Sequence, residues 1–167
     1  MKSINILFLS PHWNVSLPKA FKESLDRGKL KGKLAGADSD RCSSALQFLR
    51  PAHYIPRFEE KDCIKKIMDI CVRESIHAVI PLSNKAVEFL DENRQPFRAK
   101  NIYLYLQERE TIAICHDKRR LAEFLTAAKI LVPTTAQPGS LKNNFPLFTK
   151  RRRGEGGAPL FWELWRA

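Results

Sequence analysis

The sequence Ile4-Asn-Ile-Leu-Phe-Leu9 is the clearest indication of the fold of this chain. It is a short apolar run that stops at Ser10 and Pro11, which is typical of a strand buried on both faces of a parallel sheet. Further runs of this kind follow along the chain, at Lys33–Ala37, His53–Ile55, Ala78–Leu82 and Asn101–Leu106. Each is bounded by turn-forming residues or by a helical pattern, so each is predicted to be a strand.

Helical patterns separate these runs, at Pro18–Leu25, Ser43–Leu49, Asp62–Glu74 and Asn84–Leu90. The clearest lies at Asp62–Glu74, where Ile64, Ile67, Met68 and Cys71 have the i, i+3, i+4, i+7 spacing of one helix face and Asp62 is placed to cap the helix. Alternating strands and helices predict an α/β fold, a doubly wound, Rossmann-like parallel sheet of about five strands.

Ligands of such sheets bind beyond the carboxyl ends of the strands, here at Ser10–Asn14, Asp38–Arg41 and Leu82–Lys85. The first of these loops contains no glycine, and a dinucleotide fingerprint needs glycines for the backbone to approach a pyrophosphate, so an NAD-dependent enzyme is excluded. Asp38 and Asp40 either form the turn after a strand, which is the favoured interpretation, or hold a ribose or a substrate amine.

The composition is that of a globular protein, with 167 residues, 44% hydrophobic and 28% charged. No apolar run is long enough to cross a bilayer, and the N-terminus is interpreted as a strand rather than a signal peptide, so we expect a cytoplasmic protein without a membrane span. The four cysteines have irregular spacing without a CxxC pair, which favours structural thiols over a zinc site.

The net charge of +11 is concentrated near the end of the chain. Residues 117–167 contain 10 basic and 4 acidic side chains, including the runs Lys118–Arg120 and Lys150–Arg153. These runs are either solvated faces or part of a basic nucleic-acid binding module, which is the alternative function.

The stretch Phe145–Gly157, with the sequence FPLFTKRRRGEGG, combines an apolar run, Lys150 and a glycine-bearing basic loop. It is typical of a strand that leads into a flexible turn whose backbone N–H groups and cations wrap around polyphosphate. About thirty residues earlier, Asp117 and Lys118 begin a helix that is predicted to run to about Ala128.

The order and spacing of these motifs resemble the ATP-grasp superfamily, specifically proteins related to the large subunit of carbamoyl phosphate synthase. The resemblance rests on Ile4–Ser10, Ala37–Asp40, Ile80–Leu82, Thr111–Lys118, Glu123–Leu125, Val132–Thr135 and Phe145–Gly157. It implies a pre-ATP-grasp Rossmann-like domain at residues 1–115, followed at residues 116–167 by a linker helix and the N-terminal fragment of the ATP-grasp domain.

The same resemblance implies the site residues and the chemistry. Lys118 and Lys150 resemble the cations that bind ATP phosphates, and Gly154, Gly156 and Gly157 resemble the loop that folds over the triphosphate. Family members use ATP and Mg²⁺ to activate a carboxylate as an acyl phosphate, which a nucleophile then attacks.

The chain also departs from the family pattern. Arg151 stands where a proline usually follows the strand-end lysine, and the residues expected to hold adenine and magnesium are missing after Gly157. We therefore expect a truncated or split ATP-grasp protein that has no metal ligands, is not catalytic alone, and is completed by a second polypeptide. The apolar stripe of Phe161, Leu164 and Trp165 either docks on such a partner or belongs to a frameshifted tail.

Overall fold

A computed structural model describes residues 3–135 and 151–154. The chain divides into two compact units, Met1–Leu106 and Gln107–Ala167. The described part of the first unit contains one parallel sheet of strands β1 (Ile6–Leu9), β2 (Leu34–Asp38), β3 (Ala52–Tyr54), β4 (Ala78–Pro81) and β5 (Tyr103–Leu104), in the order β3-β2-β1-β4-β5. The predicted α/β fold with a Rossmann-like parallel sheet is confirmed.

Helices connect the strands as expected for a doubly wound sheet. They are α1 (Ser16–Arg27), α2 (Ser44–Phe48), α3 (Cys63–Arg73), α4 (Asn84–Glu92) and α5 (Arg94–Ala99). The chain runs from β1 outward to β3 on one side and then crosses to β4 on the other side, so the strand order reverses between β1 and β4.

The central strand β1 is buried on both faces, as its continuous apolar sequence requires. Leu7 and Leu9 point into a larger core cluster that includes Ile67 and Ile70 of α3. Ile6 and Phe8 belong to a smaller cluster on the other face, where α1 residues pack. Because successive side chains of a strand point to opposite faces, β1 contributes to the core on both faces of the sheet.

Gly36 allows α2 to approach β2 closely. A β-carbon at this position would lie 2.7 Å from Leu46 Cδ2 and 2.8 Å from Leu49 Cδ1, closer than carbon atoms pack. The hydrogen of glycine therefore leaves room for both leucines, which are almost completely buried.

Asn5, just before β1, ties three segments of the first unit together. Its side-chain Nδ2 donates to the carbonyl oxygens of Glu74 and Ser75, both at 3.0 Å, and its Oδ1 accepts from the backbone N–H of Lys33 at 3.1 Å. The two carbonyls follow the end of α3, where no helical N–H is left to bond them. The side-chain amide of Asn5 thereby provides hydrogen-bond partners for backbone groups at the end of α3 and at the start of β2.

Some elements differ from the sequence-based prediction. No helix was assigned to residues 91–100, yet α5 lies there, with Pro96 in its first turn, where a missing N–H is tolerated. Asp62 occupies the N-cap position of α3, but its side chain makes no capping hydrogen bond. The strand predicted at Asn101–Leu106 is reduced to Tyr103–Leu104.

The second unit contains the helices α6 (Arg109–Cys115) and α7 (Lys118–Ala127) among its described residues. Asp117 is the N-cap of α7, and its Oδ1 accepts from the backbone N–H groups of Arg119 at 3.1 Å and Arg120 at 3.2 Å. The predicted helix from Asp117 to about Ala128 is confirmed, whereas the domain boundary at residue 115 stays a prediction. None of the helices in the described part of the chain is long and apolar enough to cross a membrane.

Candidate functional site

Ser10, His12 and Asp38 form a hydrogen-bonded group at the carboxyl ends of β1 and β2. Ser10 Oγ lies 3.0 Å from His12 Nε2, and His12 Nδ1 lies 3.5 Å from Asp38 Oδ2. Asp38 is fully buried and Ser10 is 4% exposed, whereas the His12 side chain is 34% exposed. The imidazole is thus the part of this group that solvent reaches most easily.

Asp38 also organises the loops around it. Its Oδ1 accepts from the backbone N–H of Asp40 at 3.1 Å, and its Oδ2 accepts from the backbone N–H of His12 at 2.9 Å. The first bond is an Asx-type turn, so the turn-forming role that the sequence favoured for Asp38 is confirmed. The second bond links the loop after β1 to the loop after β2.

Exposed aromatic side chains lie on the same loops. Trp13 is 82% exposed, and its ring centroid lies 5.7 Å from that of His12. Arg41 lies over the ring of Tyr54 at 5.3 Å. After β4, Ser83 caps α4 by accepting from the backbone N–H of Ala86 at 3.2 Å. This edge of the sheet therefore presents aromatic and hydroxyl groups in addition to the imidazole.

In the second unit, the carboxylate of Asp117 is covered by Arg152. Arg152 Nε donates to Asp117 Oδ1 at 2.9 Å and to Oδ2 at 2.8 Å, and Arg153 Nε lies 3.6 Å from Oδ2. The hydrogen bond from Arg152 holds the pKa of the fully buried Asp117 side chain well below its usual range, and the backbone N–H groups that Asp117 caps act in the same direction. The cap remains ionised throughout the physiological pH range.

Lys118 and Gly154, two of the predicted phosphate-binding residues, are brought together. The backbone N–H of Lys118 donates to the carbonyl oxygen of Arg152 at 3.0 Å, and Lys118 Nζ donates to the carbonyl oxygen of Gly154 at 3.0 Å. Gly154 has φ +106°, and a β-carbon there would meet no atom within 4 Å. The role of both residues as ATP ligands stays a prediction.

The other three predicted site residues, Lys150, Gly156 and Gly157, lie outside the described residues. Their role as ATP ligands stays a prediction. Within residues 3–135 and 151–154, no group of three or more acidic, histidine or cysteine side chains is placed to hold a metal ion.

Five described cations of the two basic runs contact groups of the protein itself. Arg119 pairs with Glu123 at 2.8 Å, and Arg120 pairs with Glu110 at 2.7 Å. Arg152, Arg153 and Lys118 make the further contacts described above, with Asp117 and with the carbonyl oxygen of Gly154. The arrangement offers no support for the alternative nucleic-acid binding function.

A comparison with protein families finds that the PylC-like N-terminal domain matches residues 6–105. The chain belongs to this family. The PylC-like N-terminal domain is the domain that precedes the ATP-binding part of ATP-grasp enzymes, and the match covers the whole sheet from β1 to β5. No curated protein sequence matches the chain.

Solved structures support the same fold. An L-amino acid ligase from Bacillus licheniformis is 19% identical with a TM-score of 0.52, and the alignment covers 80% of this chain and 32% of the ligase. The biotin carboxylase subunit of a pyruvate carboxylase is 12% identical with a TM-score of 0.50, and the alignment covers 75% of this chain and 28% of the carboxylase subunit. The PylC-like chain therefore spans about a third or less of the length of these two proteins.

Sequence reasoning missed two arrangements in the described residues. It named the loop Ser10–Asn14 as a ligand loop without assigning a role to His12, and it did not pair Asp117 with Arg152. Residues 117 and 152 are far apart in sequence, so no local sequence pattern predicts their contact. Ser10 and His12 are neighbours, and a serine two residues before a histidine at a strand end was the available signal.

Proposed function

We propose that this chain is the N-terminal part of an ATP-grasp ligase, comprising the PylC-like domain and the beginning of the ATP-binding lobe. In the proposed reaction, ATP phosphorylates a carboxylate to an acyl phosphate, as in enzymes related to carbamoyl phosphate synthase. The observation that carries the proposal is the order of the parts: a PylC-like domain at residues 6–105 is followed by a helix that presents Lys118 beside the glycine loop.

The described residues around the N-terminus of α7 are suited to the phosphate groups of ATP. Lys118 supplies a point charge, Gly154 supplies backbone without side-chain bulk, and both lie at the N-terminus of α7, where the helix dipole favours an anion. Asp117 occupies the capping position itself, and Arg152 offsets its negative charge. Lys118 would therefore meet a phosphate without direct competition from an unpaired carboxylate.

ATP, when bound, supplies the phosphoryl group, and Mg²⁺ would offset its charge. The chain's own contribution is to hold the phosphates with Lys118 and Lys150 and to cover them with the loop of Gly154, Gly156 and Gly157. In this proposal a second polypeptide completes the ATP-grasp domain and supplies the metal ligands. The coverage of about a third of each solved relative is compatible with such a division.

The test is a calorimetric titration of the chain with ATP and Mg²⁺, repeated for Lys118→Ala and Lys150→Ala. Each variant removes a charge-assisted contact of roughly 1.5–3 kcal/mol, so we expect affinity to fall by about tenfold or more. Lys129→Ala is the matched control, because Lys129 is an exposed lysine of the same unit.

The same chain is titrated with a random oligonucleotide at two salt concentrations. Equal ATP affinity in the wild type and in both lysine variants would contradict the proposed phosphate contacts. Tight oligonucleotide binding with a steep salt dependence would favour the nucleic-acid module instead.

A further inference from the structure

Outside the proposed nucleotide site, the first unit holds a serine, an imidazole and a buried carboxylate in series. Ser10 Oγ, His12 Nε2, His12 Nδ1 and Asp38 Oδ2 follow one another with gaps of 3.0 Å and 3.5 Å across the ring. This is the order of groups that activates a serine hydroxyl for acyl transfer. We propose that Ser10, with His12 and Asp38, is an acyl-accepting site for small activated acyl compounds such as aryl esters.

The proton arrangement follows from the chemistry of the carboxylate. A carboxylate only accepts hydrogen bonds, so the position of Asp38 favours the imidazole tautomer with its proton on Nδ1. In that tautomer Nε2 has a free lone pair, 3.0 Å from the hydroxyl of Ser10. The 3.5 Å gap from Nδ1 to Asp38 is longer than a good hydrogen bond, as is common for catalytic pairs before substrate binds.

The backbone holds the two reactive residues in unusual conformations. Ser10 has φ +54° and His12 has φ +47°, in the left-handed region that residues with a side chain seldom adopt. The backbone N–H of Ser10 donates to Ala37, and the carbonyl oxygen of His12 accepts from Ser43 Oγ at 2.8 Å and from the N–H of Ala45 at 2.9 Å. Strain that neighbouring hydrogen bonds maintain at a strand end is a feature of nucleophile turns.

One component of an efficient serine hydrolase is missing from this loop. The residue after a nucleophilic serine usually donates its backbone N–H to the oxyanion, but Pro11 has no N–H. Losing one such donor lowers the rate by about 10²- to 10³-fold. Ser10 should therefore react with activated esters that have a good leaving group and should accumulate the acyl group, rather than turn over ordinary esters.

The proposed step is balanced within the chain and an aryl ester. Ser10 Oγ forms a bond to the acyl carbon while its proton passes to His12 Nε2. The bond between the acyl carbon and the aryl oxygen then breaks, and the aryl oxide leaves with its electron pair and takes the proton from His12. The products are an O-acyl serine and the free phenol, with the imidazole neutral again.

The test treats the full chain with p-nitrophenyl acetate and maps acetyl groups by peptide mass spectrometry. We expect Ser10 to be acetylated at least tenfold more than Ser44, an exposed serine whose Oγ lies 3.5 Å from the carbonyl oxygen of His12. This comparison within the wild-type chain needs no variant. Acetylation confined to lysines and cysteines, or equal at both serines, would overturn the proposal.

Three variants then separate chemistry from structure. Ser10→Ala should remove the acetyl group at this position, and His12→Gln should slow acetylation of Ser10 by about 100-fold or more. Ser24→Ala should leave it unchanged, because Ser24 is an exposed serine of α1 that donates to the carbonyl oxygen of Ala20. Circular dichroism and the urea midpoint verify that each variant folds. A folded His12→Gln chain that acetylates Ser10 at the wild-type rate would refute the role of the imidazole.

Discussion

Replacing Asn5 should destabilise the first unit more than its position outside any strand suggests. Asn5 is only 6% exposed, and three hydrogen bonds of its side-chain amide reach backbone groups at 3.0–3.1 Å. Each bond of this kind contributes about 1 kcal/mol net, so Asn5→Ala should lower the free energy of unfolding by about 3 kcal/mol. That loss is a large share of the free energy of unfolding of a typical domain, which is roughly 5–15 kcal/mol.

Asn5→Asp gives a sharper result because the shape is kept while the donors are lost. A carboxylate oxygen would then face the carbonyl oxygens of Glu74 and Ser75 where Nδ2 now donates to both. Asn5→Asp should therefore be at least as destabilising as Asn5→Ala near neutral pH. Because those carbonyl oxygens raise the pKa of the new carboxyl in the folded chain, its deficit should shrink as the pH falls toward about 4, where a protonated carboxyl regains one donor.

Urea unfolding followed by circular dichroism measures these differences. Ser3→Ala is the control, because Ser3 Oγ donates to Asn5 Oδ1 through a longer bond of 3.3 Å at a partly exposed position, and it should cost no more than about 0.5 kcal/mol. A loss of less than about 1 kcal/mol for Asn5→Ala would show that water replaces the amide, and the reasoning from buried hydrogen bonds would then fail.

Three further predictions concern other buried groups of the first unit. Burial raises the pKa of Cys63 to about 11 and that of Cys71 to about 12. Both thiols should therefore react slowly with a disulfide reagent in the folded chain and quickly in urea. Fast reaction of either thiol without denaturant would contradict their burial. Burial also lowers the pKa of His53 from 6.5, so the unfolded chain binds this proton more readily. The free energy of unfolding should consequently fall as the pH drops through 6.5, and His53→Gln should lack that part of the decline in urea titrations at pH 5–8. Finally, Gly36→Ala should cost about 1–3 kcal/mol in urea unfolding because the added methyl overlaps two buried leucines. Gly28→Ala, with φ −77° and its tightest contact at 3.2 Å, should cost clearly less, and equal effects would refute the packing argument.

The sheet could be predicted because its strands are short apolar runs separated by amphipathic helices. Each predicted strand lies within one or two residues of β1 to β4, and α3 lies within one residue of its predicted ends. Burial on two faces gives β1, β2 and β4 apolar sequences that can be recognised without knowledge of the tertiary contacts. The edge strand β5 was predicted too long, since its alternating aromatic residues satisfy the same pattern while being largely exposed.

The helix α5 and the details of the ligand loops could not be predicted in this way. Pro96 in a six-residue helix reads as a breaker in sequence, although its position in the first turn tolerates it. The left-handed conformations of Ser10 and His12 depend on hydrogen bonds to Ala37 and Asp38, which come from another strand. Sequence could place both residues at the carboxyl edge of the sheet, but only the fold sets their geometry.

The two outermost strands are also the shortest in the sheet, with three residues in β3 and two in β5. An outer strand presents unpaired N–H and C=O groups to which another chain can add, and shortening it is a common protection against such pairing. Extension of this sheet by a strand from a second molecule would gain few backbone hydrogen bonds. The PylC-like unit is therefore better suited to meet other proteins through its loops and helices than by continuing its sheet.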